Sequence, residues 1–190
     1  MLILSGMIAI VDATFWSVGA VYSAREAVNN PVAGLWLSAY MVPSLLAAPI
    51  ISRWKIYKKK KRWAAGLLFV SGGVMSLLAF KVGLTTGLGV VFVASMLGAL
   101  SVPLLDAVYS DLAARMGRER KHLIGLTGGV GSMAYIVGPV LAGFMSDKVG
   151  ELGTFAAMGI AMMCVSMLVI VVLPVKVRLP QAEIKDWVKG

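Results

Sequence analysis

The chain has 190 residues and a formal net charge of +9, yet only 14% of its residues are charged and 59% are apolar. Ordinary soluble domains contain about 25% charged residues, so this composition excludes a soluble globular protein. The basic charge would favour nucleic-acid binding in a soluble chain. Here the hydrophobic composition indicates a membrane protein instead, and no nucleic-acid partner is predicted.

Long runs without charge define the predicted elements. A helix needs about 20 apolar residues to cross a hydrocarbon core of about 30 Å, and a backbone in lipid must be helical or form a closed barrel. The runs without Asp, Glu, Lys or Arg are 27–52, 63–80, 82–105, 123–146 and 152–175, while residues 1–24 contain only Asp12. We expect an all-α membrane bundle over residues 1–175, with helices at about 2–24, 31–52, 63–82, 84–109, 123–146 and 153–174. Residues 176–190 are expected to form a short cytoplasmic tail.

The first predicted span contains a charged residue, Asp12. It lies about 16 Å along a helix with a 1.5 Å rise per residue, hence near the bilayer centre. A charge there should face protein or water, and Trp16, on the same helical face, is a further candidate for substrate contact or proton coupling. We expect Asp12 to be a proton-coupling carboxylate or a partner for a cationic substrate. The alternative is a carboxyl that is hydrogen-bonded at a helix contact. A cleaved signal peptide is a further alternative for this segment, disfavoured because it begins without Lys or Arg.

The second predicted span begins at Pro31, a residue suited to the first turn of a helix, and carries Tyr40 near its middle. Tyr40 is a candidate for substrate contact. The alternative is a packed tyrosine that makes one hydrogen bond.

A basic segment follows the second span. Cytoplasmic loops of membrane proteins are enriched in Lys and Arg, and fifteen of the eighteen basic residues fall in the loops after spans two and four and in the tail. Both termini are therefore expected on the cytoplasmic side of a cell membrane, with this segment bound near anionic lipid headgroups. The anchoring residues are Arg53, Lys58, Lys59, Lys60, Lys61 and Arg62.

Two further acids, Asp106 and Asp111, lie near the end of the fourth span. We expect them to form a solvated or salt-bridged helix end with Arg115 and Arg118. The single histidine, His122, has no second His or Cys nearby, and no catalytic set, metal-ligand spacing or phosphate-binding loop is present. The sequence therefore predicts neither an enzyme nor a metal or cofactor site.

The fifth span carries small residues at every fourth position, namely Ala134, Gly138, Ala142 and Ser146. Such a strip lets a neighbouring helix approach closely. Pro139 removes the hydrogen bond to the carbonyl of Tyr135, so a bend is expected there.

The same span resembles a family, the major facilitator superfamily of secondary transporters. Its glycine and proline pattern is similar to the fifth-helix pattern associated with antiporters, and the segment from Gly143 to Gly150 is similar to the family's G-x-x-x-D-[RK]-x-G loop motif. The equivalent loop after span two is altered at Ala48 and Ser52, which makes the chain resemble the C-terminal six helices. The residues that carry the resemblance are Gly125, Ala134, Gly138, Pro139, Gly143, Asp147, Lys148 and Gly150.

The resemblance implies 3+3 inverted repeats and alternating access around a midplane cavity, with proton-coupled efflux of a small molecule as the expected activity. The chain begins almost directly in a helix, which we interpret as a fragment or a half that pairs with another six-helix unit or with a second copy of itself. The alternative is a non-transporting membrane scaffold or assembly subunit, in which Asp12 only packs.

Overall fold

The computed structural model describes residues 1–54, 59–80, 82–115 and 120–172, and all its regular structure there is helical. The all-α prediction is confirmed for this part of the chain. Lys58 of the predicted basic anchor and the predicted tail at 176–190 lie outside the described residues.

Five long helical elements follow one another in the described ranges. Each is long and apolar enough to cross a membrane. They are α1 (Leu2–Ala27), α2 (Pro31–Trp54), α3 (Lys60–Phe80), α4 (Leu84–Arg115) and α5 (Arg120–Val172). The segments predicted as a fifth and a sixth span both lie within α5.

A break in backbone geometry occurs inside α5 at Gly150, where φ is 78° and ψ is 169°, so that two helical segments meet there. Only glycine adopts this region without a steric penalty, because it has no Cβ. The 53 residues of α5 would measure about 80 Å as one straight helix, far more than a hydrocarbon core of about 30 Å.

Two helices depart from regular α geometry near their middle or start. In α1, residues Phe15–Gly19 form a π-helical turn. In α2, the segment Pro31–Leu35 is a 3₁₀ turn that begins with a cap, since the Asn30 side chain accepts a hydrogen bond from the backbone N–H of Val32. The proline at the first position of α2 agrees with its fixed φ and missing N–H.

Glycines set the closest approaches between helices. A Cβ placed on Gly138 would lie 2.9 Å from the Cβ of Ala13, so the first segment of α5 packs tightly on α1. A Cβ on Gly72 would lie 2.5 Å from the carbonyl oxygen of Gly159, and one on Gly159 would lie 2.7 Å from that of Gly72. The second segment of α5 therefore packs backbone to backbone on α3.

Ion pairs fix both ends of the bundle. Arg25, near the end of α1, pairs with Glu151 at 2.8 Å, just after the break in α5. At the opposite end Lys60 pairs with Asp111 at 2.9 Å, so Asp111 is joined to α3. The end of α1 and the break in α5 consequently lie at one end of the bundle, and the start of α3 and the end of α4 lie at the other.

Candidate functional site

A partly open cavity of about 520 Å³ lies between the helices, with lining residues from all five of them. Most of its wall is apolar, as is usual for small-molecule sites with a few polar groups that fix orientation. The lining residues that have a charged side chain or an aromatic side chain with a polar group are Asp12, Trp16, Tyr40, Asp106 and Tyr135.

The centre of the polar wall is the Asp12 carboxylate. The Tyr40 hydroxyl donates to Oδ1 of Asp12 at 2.9 Å, and the Tyr135 hydroxyl donates to Oδ2. Three helices, α1, α2 and α5, thus meet at one carboxylate. Hydrogen bonds to a charged group are stronger than neutral ones, so this arrangement holds the acid in place at the cavity wall.

Stacked aromatic rings hold the tyrosine of α2. The rings of Phe15 and Tyr40 are 3.9 Å apart and nearly parallel, at 10°. Phe15 also stacks with Phe155, with the ring centres 4.4 Å apart. The ring centres of Phe155 and Trp36 are 5.9 Å apart. This aromatic cluster fills the core beyond Asp12 and restricts the Tyr40 ring, so its hydroxyl stays directed at the acid.

The π-helical turn lies directly after the acid in the chain. A π turn leaves an irregular hydrogen-bond pattern, and such turns occur frequently at functional sites. Here the Thr14 hydroxyl donates to the Ile10 carbonyl at 2.8 Å and the Ser17 hydroxyl to the Ala13 carbonyl at 2.8 Å. The turn therefore changes the helical register between Asp12 and the residues that follow it, including Trp16.

The structure brings the three predicted site residues, Asp12, Trp16 and Tyr40, to the wall of one cavity. Trp16 is half-exposed at that wall. Sequence analysis missed Tyr135 as a partner of the acid. The available signal was its position as the one tyrosine of a charge-free run, one residue after Ala134 of the small-residue strip.

The predicted motif residues of α5 fall into two groups. Ala134 and Gly138 are buried against the bundle, with Pro139 beside them, whereas Gly143 is exposed and a Cβ there would meet nothing within 4 Å. A Cβ on Gly125 would likewise meet nothing within 4 Å. None of these glycines lines the cavity.

The loop motif before the break is exposed. Asp147 and Lys148 both face outward, and the Lys148 ammonium lies 4.3 Å from the centre of the Phe144 ring. Gly150 is the residue at which α5 leaves helical geometry. These residues lie at the end of the bundle that carries the Arg25–Glu151 ion pair.

Of the predicted anchor, Arg53, Lys59 and Arg62 are exposed, and Lys60 and Lys61 are partly buried. Lys59 has a positive φ of 58° and precedes α3, so the chain turns sharply at this point. Within the described ranges, no group of three or more His, Cys, Asp or Glu residues could hold a metal ion.

Long apolar helices, packed around a partly open cavity with a mid-helix acid, define a multi-pass membrane protein with a polar site between its helices. The family comparison gives the particular assignment: residues 1–188 match the Major Facilitator Superfamily. The chain belongs to this family, which points to a transporter rather than an enzyme.

A curated relative adds a narrower similarity. The chain is 26% identical over 160 residues to Multidrug resistance protein 1 of Bacillus subtilis (strain 168), an alignment that covers 78% of this chain and 39% of that protein. The chain thus spans about two fifths of the length of the relative it matches. No solved structure gives a significant match.

Proposed function

We propose that this chain supplies one half of a secondary transporter that moves small organic cations by alternating access, with Asp12 as the coupling and binding carboxylate. The observation that carries the proposal is the Asp12 carboxylate in the wall of an apolar cavity, held by two tyrosine hydroxyls from other helices. An acid in this position has a cost in lipid, which a role in binding a cation or a proton explains.

The cavity favours an amphipathic cation as substrate. Its apolar and aromatic wall provides contact area, and Trp16 and Tyr40 present ring surfaces to which a cation is attracted. Asp12 provides the opposite charge. A neutral or anionic substrate would leave this carboxylate uncompensated, or repelled, in a poorly solvated site.

Proton-coupled efflux is the mode that we propose. A single carboxylate that binds either a proton or a cation couples the two fluxes, because occupation by one excludes the other. The similarity to a protein named for multidrug resistance supports export, as does the resemblance of the α5 glycine and proline pattern to that of antiporters.

Six membrane crossings are proposed, with α5 crossing twice. The break at Gly150 lies between two apolar segments, each long enough to span. The Arg25–Glu151 ion pair supports this, because it joins the break to the end of α1. With both termini on the cytoplasmic side of the cell membrane, the basic residues after α2 and α4 also lie there.

The helix contacts support a 3+3 inverted repeat. If the six segments are numbered in order, a repeat exchanges one with four, two with five and three with six. The contact of α1 with the first segment of α5 then corresponds to the contact of α2 with α4. Likewise, the contact of α3 with α4 corresponds to the contact of α1 with the second segment of α5. Segments three and six also contact each other reciprocally through Gly72 and Gly159, which is compatible with a pseudo-two-fold axis that exchanges them.

The partner that we propose is a second six-helix half or a second copy of this chain. Much of α2 and of the first segment of α5 is apolar and exposed, including Leu45, Ile136 and Val140. Lipid covers part of such a surface, but Tyr135 lies on this side and is itself half-exposed. A partner packed there would complete the enclosure of the Asp12 site.

Ethidium transport tests the proposal. Everted membrane vesicles from the native host, with the chain overproduced, would supply any natural partner. With the membrane potential collapsed, an imposed pH gradient with the vesicle interior acidic should drive ethidium accumulation in wild-type vesicles and not in Asp12→Asn vesicles. Asp111→Asn is the matched control, because Asp111 is exposed and lies outside the cavity.

Two results would count against the proposal. Accumulation by Asp12→Asn at the wild-type rate would eliminate Asp12 as the coupling group. No gain over vesicles without the overproduced chain would reject transport and leave the membrane scaffold as the better assignment.

A further inference from the structure

A second carboxylate lines the same cavity. Asp106 on α4 is exposed and belongs to the cavity wall, although the sequence predicts it at a solvated or salt-bridged helix end. Its neighbour in that prediction, Asp111, pairs with Lys60. Within the part of the chain whose side chains are described, Asp106 forms no ion pair.

The spacing along α4 explains why Asp106 faces the cavity. Gly98, Ala99, Val102 and Asp106 all line it, and residues three or four apart share one face of a helix. Asp111 is five residues beyond Asp106 and lies off this stripe. Asp106 therefore lies on the face of α4 that lines the cavity, together with Gly98, Ala99 and Val102.

The depth of Asp106 relative to Asp12 follows from one hydrogen bond. The Ser5 and Tyr109 hydroxyls are 2.9 Å apart, which sets the levels of α1 and α4 side by side. The two helices are antiparallel, so along its helix the Cα of Asp12 lies about 10 Å from that of Ser5, and the Cα of Asp106 about 4.5 Å from that of Tyr109, both on the same side of this contact. Asp106 therefore lies nearer than Asp12 to the Ser5–Tyr109 contact.

We propose that Asp106 determines charge selectivity: it binds the second positive group of a dicationic substrate whose first positive group lies at Asp12. The inference rests on the proposed cation site and extends it. The cavity wall also carries Met41, Val102 and Leu105, apolar side chains suited to the aromatic or aliphatic spacer of such a molecule.

The test compares two flat aromatic cations of similar size. Methyl viologen carries two positive charges, and methylphenylpyridinium carries one. Affinities of both for the overproduced chain are measured in native-host membrane vesicles with the membrane potential collapsed, by competition with radiolabelled tetraphenylphosphonium. Asp106→Asn should weaken methyl viologen binding about tenfold and methylphenylpyridinium binding by less than about threefold, since one ion pair is lost only by the dication.

Two further variants separate charge from structure. Asp106→Glu should retain most of the preference for the dication, because it keeps the charge. Asp111→Asn, on the same helix and outside the cavity, should leave both affinities unchanged.

The outcomes distinguish this inference from the function on which it rests. If wild type binds the monocation through Asp12 but Asp106→Asn changes both affinities equally, the role of Asp106 is overturned and the Asp12 site stands. If wild type binds neither cation, both proposals are overturned.

Discussion

The Tyr40 hydroxyl lies 2.9 Å from Oδ1 of Asp12, which joins the middle of α2 to the middle of α1. The Tyr40 ring also stacks on Phe15, three residues after the acid on the same helix. One side chain therefore makes a charge-assisted hydrogen bond and an aromatic contact to adjacent parts of α1. The two interactions can be separated by removing the hydroxyl alone.

Tyr40→Phe should keep the stack with Phe15 and lose the hydrogen bond to Asp12. Hydrogen bonds to charged groups contribute about 1.5–3 kcal/mol and neutral ones about 0.5–1.5 kcal/mol. Thermal unfolding in detergent should therefore show a larger loss for Tyr40→Phe than for the matched variant Tyr109→Phe, which removes the neutral bond to Ser5. Equal losses would contradict a charged acceptor at Asp12.

The contact between Gly138 and Ala13 sets the separation of α1 and α5. Gly138→Ala should destabilise the protein by about 1–3 kcal/mol, because the added Cβ would lie 2.9 Å from that of Ala13 and one helix must shift. Gly143→Ala is the control on the same segment, since a Cβ there would meet nothing. Adding Ala13→Gly to Gly138→Ala should recover part of the loss, and a failure to do so would place the strain elsewhere.

The break in α5 depends on the backbone freedom of one glycine. At φ 78° and ψ 169°, Gly150→Ala should cost about 1–3 kcal/mol, although no neighbouring atom would contact the added Cβ. Gly131→Ala, at a helical position with equal space, should instead be neutral or slightly stabilising. Unfolding midpoints of the two variants in the same detergent check this, and similar midpoints would argue against a strained residue at 150.

Sequence analysis predicted features whose cause lies within a single segment of the chain. Asp12 could be identified because a carboxylate in an apolar run is energetically costly unless it has a partner or a function. The all-α class follows from the length of the apolar runs. Tyr135 could not be assigned as its partner, because the rotation of α5 about its axis is set by packing on α1. That rotation depends on Gly138 and Ala13, which lie 125 residues apart in the chain.

Other features could not be predicted from helical periodicity alone. The π turn at Phe15–Gly19 has no characteristic composition. Periodicity places Asp106 on the same face of α4 as Val102, but the position of α4 relative to α1 decides that this face lines the cavity. The fifth and sixth spans were predicted as separate helices from the charges at 147–151. In the structure the two segments lie within α5 and meet at Gly150, where the backbone leaves helical geometry. Helical structure reaches this glycine from both sides, because charged residues at a membrane surface do not need to interrupt a helix.

The number of crossings can be decided by labelling single cysteines from each side of the membrane. In a Cys164→Ser background, we expect Lys59→Cys and the tail variant Lys185→Cys to react with an impermeant maleimide in everted vesicles only. Lys148→Cys, at the exposed end of the first α5 segment, should react in right-side-out vesicles only. Two crossings by α5 place residues 59 and 185 on the same side because the intervening segments are even in number. If the tail instead reacted from the same side as residue 148, α5 would cross once, and the six-segment repeat with its paired helix contacts would have to be abandoned.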